Sequence, residues 1–598
     1  MTSLSTEVHG RVDRPPAADA AIVQTASDGT PRAIADAARP AVVDAAHVGD
    51  IVGAFGRIRR DATGMGRSRW QRLRALLVII GPGLIVMVGD NDAGGVATYA
   101  QAGQNYGMNL LWTLVLMIPV LYVNQEMVLR LGAVTRVGHA RLIFARFGKF
   151  WGAFSVGDLL ILNALTIVTE FIGVSLALGY LGCPKTIAIP AAAVLLFGVV
   201  AGGSFRRWEQ LMFVLIAANV VIIPMALLVH PSFGTSARGL IPSLPGEPDS
   251  IVLMLIMAIV GTTVAPWQLF FQQSNIVDKR ITPRWIRYGR ADLIIGIVGV
   301  IGGAVGLMTA AAFGLGGTPA EGKFTDAGDV AFHLSDHVGH TVGVLFAIVL
   351  LDASLIGANV VALSTTYALG DALGKPHSLH WKVTEAPLFY GIYAALLAVS
   401  AAVAFSPDHV LGIITQGVQA LAGVLLPSAT VFLVLLCNDR PVMGPWVNTF
   451  RQNAIAWMIV WSLIVLSLML TAVTFFPNLS TPTLVSGLVI GAVIGIFGAA
   501  IVFAVGWYAD RRELEDTVPL GALSLDELEE LDELSKLTGR ERKALRDKIR
   551  ASWTTPSLAT LPRPVMSPVR RAGLFTLRGY LLLAGVLVVV KVLEAGLT

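Results

Sequence analysis

Charge and cysteine are what this chain has least of. Asp, Glu, Lys and Arg make up 14% of the 598 residues while 55% are hydrophobic, a balance that cannot clothe a soluble globule. The only cysteines are Cys183 and Cys437. They fall near opposite ends of apolar segments and on opposite membrane faces, so neither a disulfide nor a thiolate metal site is expected. The sequence holds no Gly-Lys-Ser/Thr phosphate loop, no HExxH and no hydrolase elbow, and no enzymatic activity is expected. A net charge of only +4, with the basic residues confined to short stretches between apolar runs, gives no nucleic-acid partner. Residues 1–70 lack the apolar core of a signal peptide and read as a disordered cytoplasmic arm.

What is abundant is apolar sequence in blocks of roughly twenty residues, the length that crosses a bilayer as a helix. About twelve such segments are expected, at 75–99, 109–132, 153–181, 186–203, 208–229, 250–273, 289–315, 340–373, 385–405, 409–436, 454–476 and 483–508. Arg136, Arg141, Arg146 and Lys149, then Arg206 and Arg207, then Lys279, Arg280, Arg284, Arg287 and Arg290, then Lys375 and Lys382, then Arg511 and Arg512 fall in alternate connections. That alternation places the N-terminus and those connections in the cytoplasm. The tail at 509–577 contains SLDELEELDELSKL, a capping-box start followed by leucines at 525, 528, 531 and 534, which reads as a cytoplasmic amphipathic helix or a docking helix for a protein partner. The last apolar stretch, 578–598, either spans the bilayer or lies on it.

Two of the segments are interrupted. The first runs ALLVIIGPGLIVMVG from Ala75 and then meets Asp90, Asn91 and Asp92, followed by Ala93-Gly94-Gly95. A charge in the hydrocarbon centre costs about 3 kcal/mol or more, so Asp92 must face protein, water or a cation. Glycines beside it weaken the helix, and freed carbonyls next to a carboxylate make a hard-cation site. The sixth segment, IVLMLIMAIVGTTVAPWQLFFQQS from Ile251, breaks in the same way at Gly261-Thr262-Thr263 and Pro266. Breaks in the first and sixth spans are the signature of two inverted five-span repeats, here 75–229 and 250–436, with 454–508 as two additional spans. The fold class is therefore an all-α integral membrane protein.

Over about 75–510 the chain resembles the Nramp divalent-metal transporters, with Asp92-Ala93-Gly94-Gly95 standing where that family has Asp-Pro-Gly-Asn and Ala265-Pro266-Trp267-Gln268 where it has Met-Pro-His-Asn. The resemblance implies a LeuT-like inverted five-plus-five repeat in a prokaryotic cell membrane. It also implies a metal site of Asp92, Thr262 and, in the tenth span, Gln419, with Gly95 and Ala265 at the positions of a lost amide and a lost thioether ligand. These losses resemble the Nramp-related magnesium transporter branch. They suit Mg2+ or Mn2+ carried partly hydrated, because magnesium keeps its waters and sulfur favours softer ions. Asp90 stands at a non-acidic family position and is either an outer-shell carboxylate or a solvated vestibule charge. Of the family's proton-relay positions Glu170 is kept, but Ile167 and Trp267 replace an Asp and a His and cannot pass protons, so no proton coupling is expected. Two other readings remain at this point: a proton-coupled manganese or iron importer of the main Nramp type, and a LeuT-fold ion sensor that does not transport. No cofactor is expected beyond the transported ion.

Asp352, Asn359, Thr365, Thr366, Asn219 and Gln416 are expected to bond between helices. His333, His337 and His340, spaced i, i+4, i+7, are expected on a hydrated loop helix.

Overall fold

A computed structural model describes residues 44–60, 62, 68–243, 245, 250–476, 479–515, 539–561 and 579. The tail segment at 524–537 and the last apolar stretch therefore lie outside the described residues, apart from Gly579.

The first span is built from α2 (Pro82–Val88) and α3 (Ala93–Tyr106), preceded by α1 (Arg69–Ile79). Helix α1 meets α2 at a 52° bend, so the apolar run that starts at Ala75 is divided between the two helices. Gly81 makes the corner with φ 149°, where a side chain would be strained. There follow α4 (Leu111–Thr135), α5 (His139–Phe147), α6 (Lys149–Tyr180), α7 (Lys185–Ala201), and α8 (Phe205–Ala218) continued through a 3-10 turn into α9 (Ile222–Leu228), with α10 (Phe233–Arg238) after it.

The second set opens with α11 (Ser250–Thr263) and α12 (Pro266–Asp278), then α13 (Ile286–Leu315), α14 (Ala327–His337), α15 (His340–Leu373), α16 (Pro387–Val403) and α17 (Asp408–Cys437). A short turn, α18 (Arg440–Met443), leads to the additional spans α19 (Phe450–Phe475) and α20 (Thr481–Glu515), and a polar helix α21 (Gly539–Ser552) follows. By length and composition, eight helices among the described residues can cross a membrane, some of them with a bend or break. The shorter α7, α16 and the end of α17 are also apolar. Helix α15 lies along α6 through the centre of the bundle, and α19 pairs with α20 outside it.

Residues 44–58 differ from the expected disordered arm. Ala45–His47 form a 3-10 turn, and β1 (Ile51–Gly53) pairs with β2 (Gly56–Ile58) in a small antiparallel hairpin with Gly53 opposite Gly56. The hairpin survives because it is not alone: Ile51 and Ala54 are buried against the ends of the helices that carry the basic connections.

Candidate metal site at the two helix breaks

The break in the first span falls at Gly89–Asp92, one step before Ala93-Gly94-Gly95, where the sequence alone places it. Gly89, Asp90 and Asn91 close a tight turn, their amides donating to Ile85, Met87 and Val88 carbonyls at 2.9, 3.2 and 3.2 Å. Asp92 is extended (φ −69°, ψ −177°) and caps α3, its Oδ1 accepting from the Gly95 amide at 2.8 Å. Ala93-Gly94-Gly95 is thus the first turn of a helix, and it leaves room for the carboxylate to reach back over its own helix end.

The sixth span breaks at Val264–Ala265. Gly261, Thr262 and Thr263 stay helical, and Ala265 is extended (φ −103°, ψ 148°) just before Pro266 opens α12. Proline has no N–H to return to the carbonyl four residues earlier, so the Thr262 carbonyl loses its helical donor. Thr262 and Ala265 are both buried, at 7% and 8% exposure.

Two hydrogen bonds tie the breaks together. Gln268 Nε2 donates to Asp90 Oδ1, and the Tyr99 hydroxyl meets Thr263 Oγ1 at 2.9 Å. Gln125 Nε2 on α4 donates to Gln268 Oε1 at 3.0 Å and so holds that amide in place. Asp90 is 1% exposed, buried rather than standing in open solvent, and among the described residues its Oδ2 has no protein partner. Gln268 stands in the sequence motif after Pro266, but Gln125 does not stand out, because a buried glutamine looks like any polar residue until its partner is known.

Asp92 has a second neighbour in Glu170, whose Oε2 accepts from the Ala93 amide at 3.1 Å while Oε1 has no protein partner among the described residues. Helix α15 passes close by at Gly357, where a Cβ would stand 2.7 Å from Glu170 Oε2 and 2.9 Å from Asp92 Cβ. Only glycine lets the three helices meet there. Asn91, also buried, donates from Nδ2 to the Val300 carbonyl at 3.1 Å, and its Oδ1 has no partner among the described residues. The break region therefore combines buried carboxylates with oxygens that no donor among the described residues satisfies, a condition that a hydrated cation can relieve. Among the described residues no three His, Cys, Asp or Glu side chains are arranged as a metal cluster.

Gln419 lies on α17, and its side chain, like that of Gln416, is outside the described residues. Ile167 is fully buried; Trp267 is buried too, its carbonyl accepting from Ser364 Oγ at 2.9 Å. Several polar residues do bond between helices: Asn219 Nδ2 donates to Asp352 Oδ2 at 3.1 Å, Trp208 Nε1 to Asn359 Oδ1 at 2.8 Å, and Asn163 Nδ2 to Thr365 Oγ1 at 2.8 Å. Thr366 instead donates to the Ala362 carbonyl of its own helix at 2.7 Å. His333 and His337 stack at 6.4 Å on α14, whereas His340 begins α15 and leaves their helix face. A small hollow lined by Leu253, Met257, Met469 and Leu488 sits between α11 and the additional spans and offers no side-chain oxygen.

The family model for natural resistance-associated macrophage protein-like sequences matches residues 83–473. The chain is 31% identical over 406 residues to the divalent metal cation transporter MntH of Ralstonia nicotianae, covering 64% of this chain and 88% of that protein. It is 26% identical over 420 residues to MntH of Bacillus subtilis, covering 67% and 93%. In three dimensions it is similar to a histidine-to-alanine mutant of the Eremococcus coleocola manganese transporter, with TM-score 0.57 and 21% identity over 79% of this chain and all of that one. That likeness concerns the fold.

Proposed function

Starting from the fact that this chain belongs to the Nramp family, we propose that it carries divalent cations across the cell membrane into the cytoplasm, Mg2+ and Mn2+ foremost, by alternating access. The face bearing Arg136, Lys279 and Arg280 is the cytoplasmic one, following the distribution of basic residues. The observation that carries the reading is Asp92, a buried carboxylate at the end of a broken helix, placed beside a second break whose Thr262 carbonyl has lost its donor.

The choice of ion follows from chemistry. Asp92, Thr262 and Gln419 offer oxygen, while Ala265 brings no sulfur and Gly95 no amide side chain. Removing two ligands leaves space that retained waters fill, which suits an ion reluctant to dehydrate. Asp90, Asn91 and Glu170 supply oxygens without a partner among the described residues, and these can accept from those waters. Inward movement is driven by the membrane potential, since Ile167 and Trp267 cannot relay protons. One observation favours a second reading, proton-coupled import: Glu170 is buried beside Asp92 with an Oε1 that has no partner among the described residues, as a proton carrier would be.

Ion flux into liposomes, comparing Mg2+, Mn2+, Ca2+ and Cd2+ with internal pH recorded in parallel, tests both readings. Uptake of Mg2+ and Mn2+ without acidification is the expected result. Stoichiometric acidification would favour the proton-coupled reading, and the absence of any flux would point to an ion sensor.

A further inference from the structure

The hairpin at 51–58 and the turn before it are seated on the cytoplasmic ends of the helices that have to separate if an ion is to leave inward. The inner halves of the two broken spans are α2 and α12. The segment grips the end of α12 directly: Arg280 Nε donates to the Ala46 carbonyl at 2.7 Å and Arg280 Nη1 to the Asp50 carbonyl at 3.1 Å. His47 Nε2 lies 3.7 Å from Asp278 Oδ1. It also grips the connection after α15, where Asp44 accepts from the His377 amide and from Trp381 Nε1, both at 2.9 Å.

The hairpin tip reaches α8. The Ala54 amide donates to Glu209 Oε2 at 2.5 Å, and Gln210 Nε2 donates to the Ala54 carbonyl at 3.1 Å. The other oxygen of Glu209 accepts from Lys279 Nζ at 2.5 Å, and Lys279 also donates to the Ile80 carbonyl, at the corner between α1 and α2, at 2.6 Å. Both members of this ion pair are fully buried. One charge pair thus joins α8, the end of α12 and the entrance of α2, and the hairpin completes its coordination. Attraction within such a pair is strong when dry and weak when wet. Lifting the hairpin would remove a donor from Glu209 and uncover the pair, loosening the joint that holds the inner halves together.

We propose that residues 44–58 are a strap that holds the cytoplasmic exit shut, and that it lifts from the ends of α8 and α12 each time the exit opens. The proposal rests on the alternating-access reading but can be tested without measuring ion flux. Val78 is 1% exposed beneath the hairpin, and a Cβ added at Gly53 would stand 2.1 Å from its carbonyl. Gly53→Ala should therefore unseat the hairpin without touching the helix breaks. Asp44→Ala, which removes the bonds to His377 and Trp381, is an independent route to the same end.

The reporters are single cysteines in the full chain with Cys183 replaced by Ser and Cys437 by Ala: Val78→Cys under the strap, and Ser364→Cys on α15, seven residues or about 10 Å inward of Gly357. Labelling is by a membrane-impermeant maleimide from the cytoplasmic side. In the otherwise native chain both sites should react slowly, and Gly53→Ala and Asp44→Ala should each accelerate both by about tenfold or more. Monodisperse protein with an unchanged helical spectrum confirms that the variants are folded. Fast labelling at 78 with position 364 still closed would overturn the proposal, as would labelling of 364 while 78 stays protected. If the labelling pattern holds but no ion crosses, the transport reading fails and the strap stands.

Discussion

Gln268 of the sixth span donates its side-chain amide to the buried carboxylate of Asp90 in the first. This bond joins the two helix breaks across the bundle, and it divides the labour between the two acids: Asp90 holds the breaks in register, while Asp92 caps α3 with one oxygen and presents its charge at the break. Loss of Asp90 should thus disturb geometry, and loss of Asp92 should remove the binding charge.

Asp92→Asn should abolish ion binding and flux with little effect on folding. Asn caps helices as well as Asp, whereas Asp92→Ala would also lose a cap worth about 1 kcal/mol. Metal-site mutations one layer out cost about 10–100-fold, so losing the charge itself should cost at least about 100-fold. Asp90→Asn should be milder. Calorimetric titration and liposome flux on both variants decide it; undiminished Mn2+ flux in Asp92→Asn would move the site elsewhere.

The dependence on voltage should be steep. A divalent ion gains about 4.6 kcal/mol from 100 mV, roughly a thousandfold in accumulation ratio. Uptake into liposomes held inside-negative with a potassium gradient should rise accordingly, with the internal pH dye unchanged. A flat voltage response would contradict this driving force.

Ala265→Met should restore a soft ligand and fill the space that retained waters need. Cd2+ binding should strengthen and Mg2+ flux fall, while the wild type should discriminate little in favour of Cd2+. Competition of Cd2+ against Mn2+ uptake in both proteins measures the change. Strong Cd2+ transport by the wild type would mean that another soft donor faces the ion.

The Lys279–Glu209 pair should be fragile to half-removal. Lys279→Met leaves a buried carboxylate without its partner and should cost about 3–5 kcal/mol, whereas Lys279→Met combined with Glu209→Gln should recover most of that loss. Thermal unfolding in detergent compares the three proteins, and equal melting of both variants would show that the pair is not held dry.

The strap should also loosen in acid. Burial pushes His47 down from its ordinary value near 6.5 to about 4, outweighing the upward pull of Asp278 and Asp44; His377 and His380 push it further down. The docked state therefore binds fewer protons than the undocked one between those values. Docking strength is fully present above about pH 6.5 and should fall about tenfold per unit as the pH drops toward 4. Labelling of Val78→Cys, expressed as a ratio to that of a fully exposed cysteine so that the falling thiolate fraction cancels, should accelerate over that window, and His47→Gln should flatten the profile.

The sequence by itself determined the membrane class, the helical fold and the position of Asp92. Apolar runs of bilayer length, alternating basic connections and an acid in mid-span are each local signals whose cost in lipid admits few solutions. Pro266 likewise marked the second break to within two residues, because a missing N–H acts on its own helix. Only the tertiary structure decided that Ala93-Gly94-Gly95 begins a helix, and that Asp90 is bonded to Gln268. It alone seated residues 44–58, which read as disordered, on α8 and α12, and paired Lys279 with Glu209. These are contacts between residues far apart in the chain, and their energy depends on burial and on a partner's position. Composition and spacing record neither, so a polar residue in an apolar sequence announces a need for a partner without saying which one meets it.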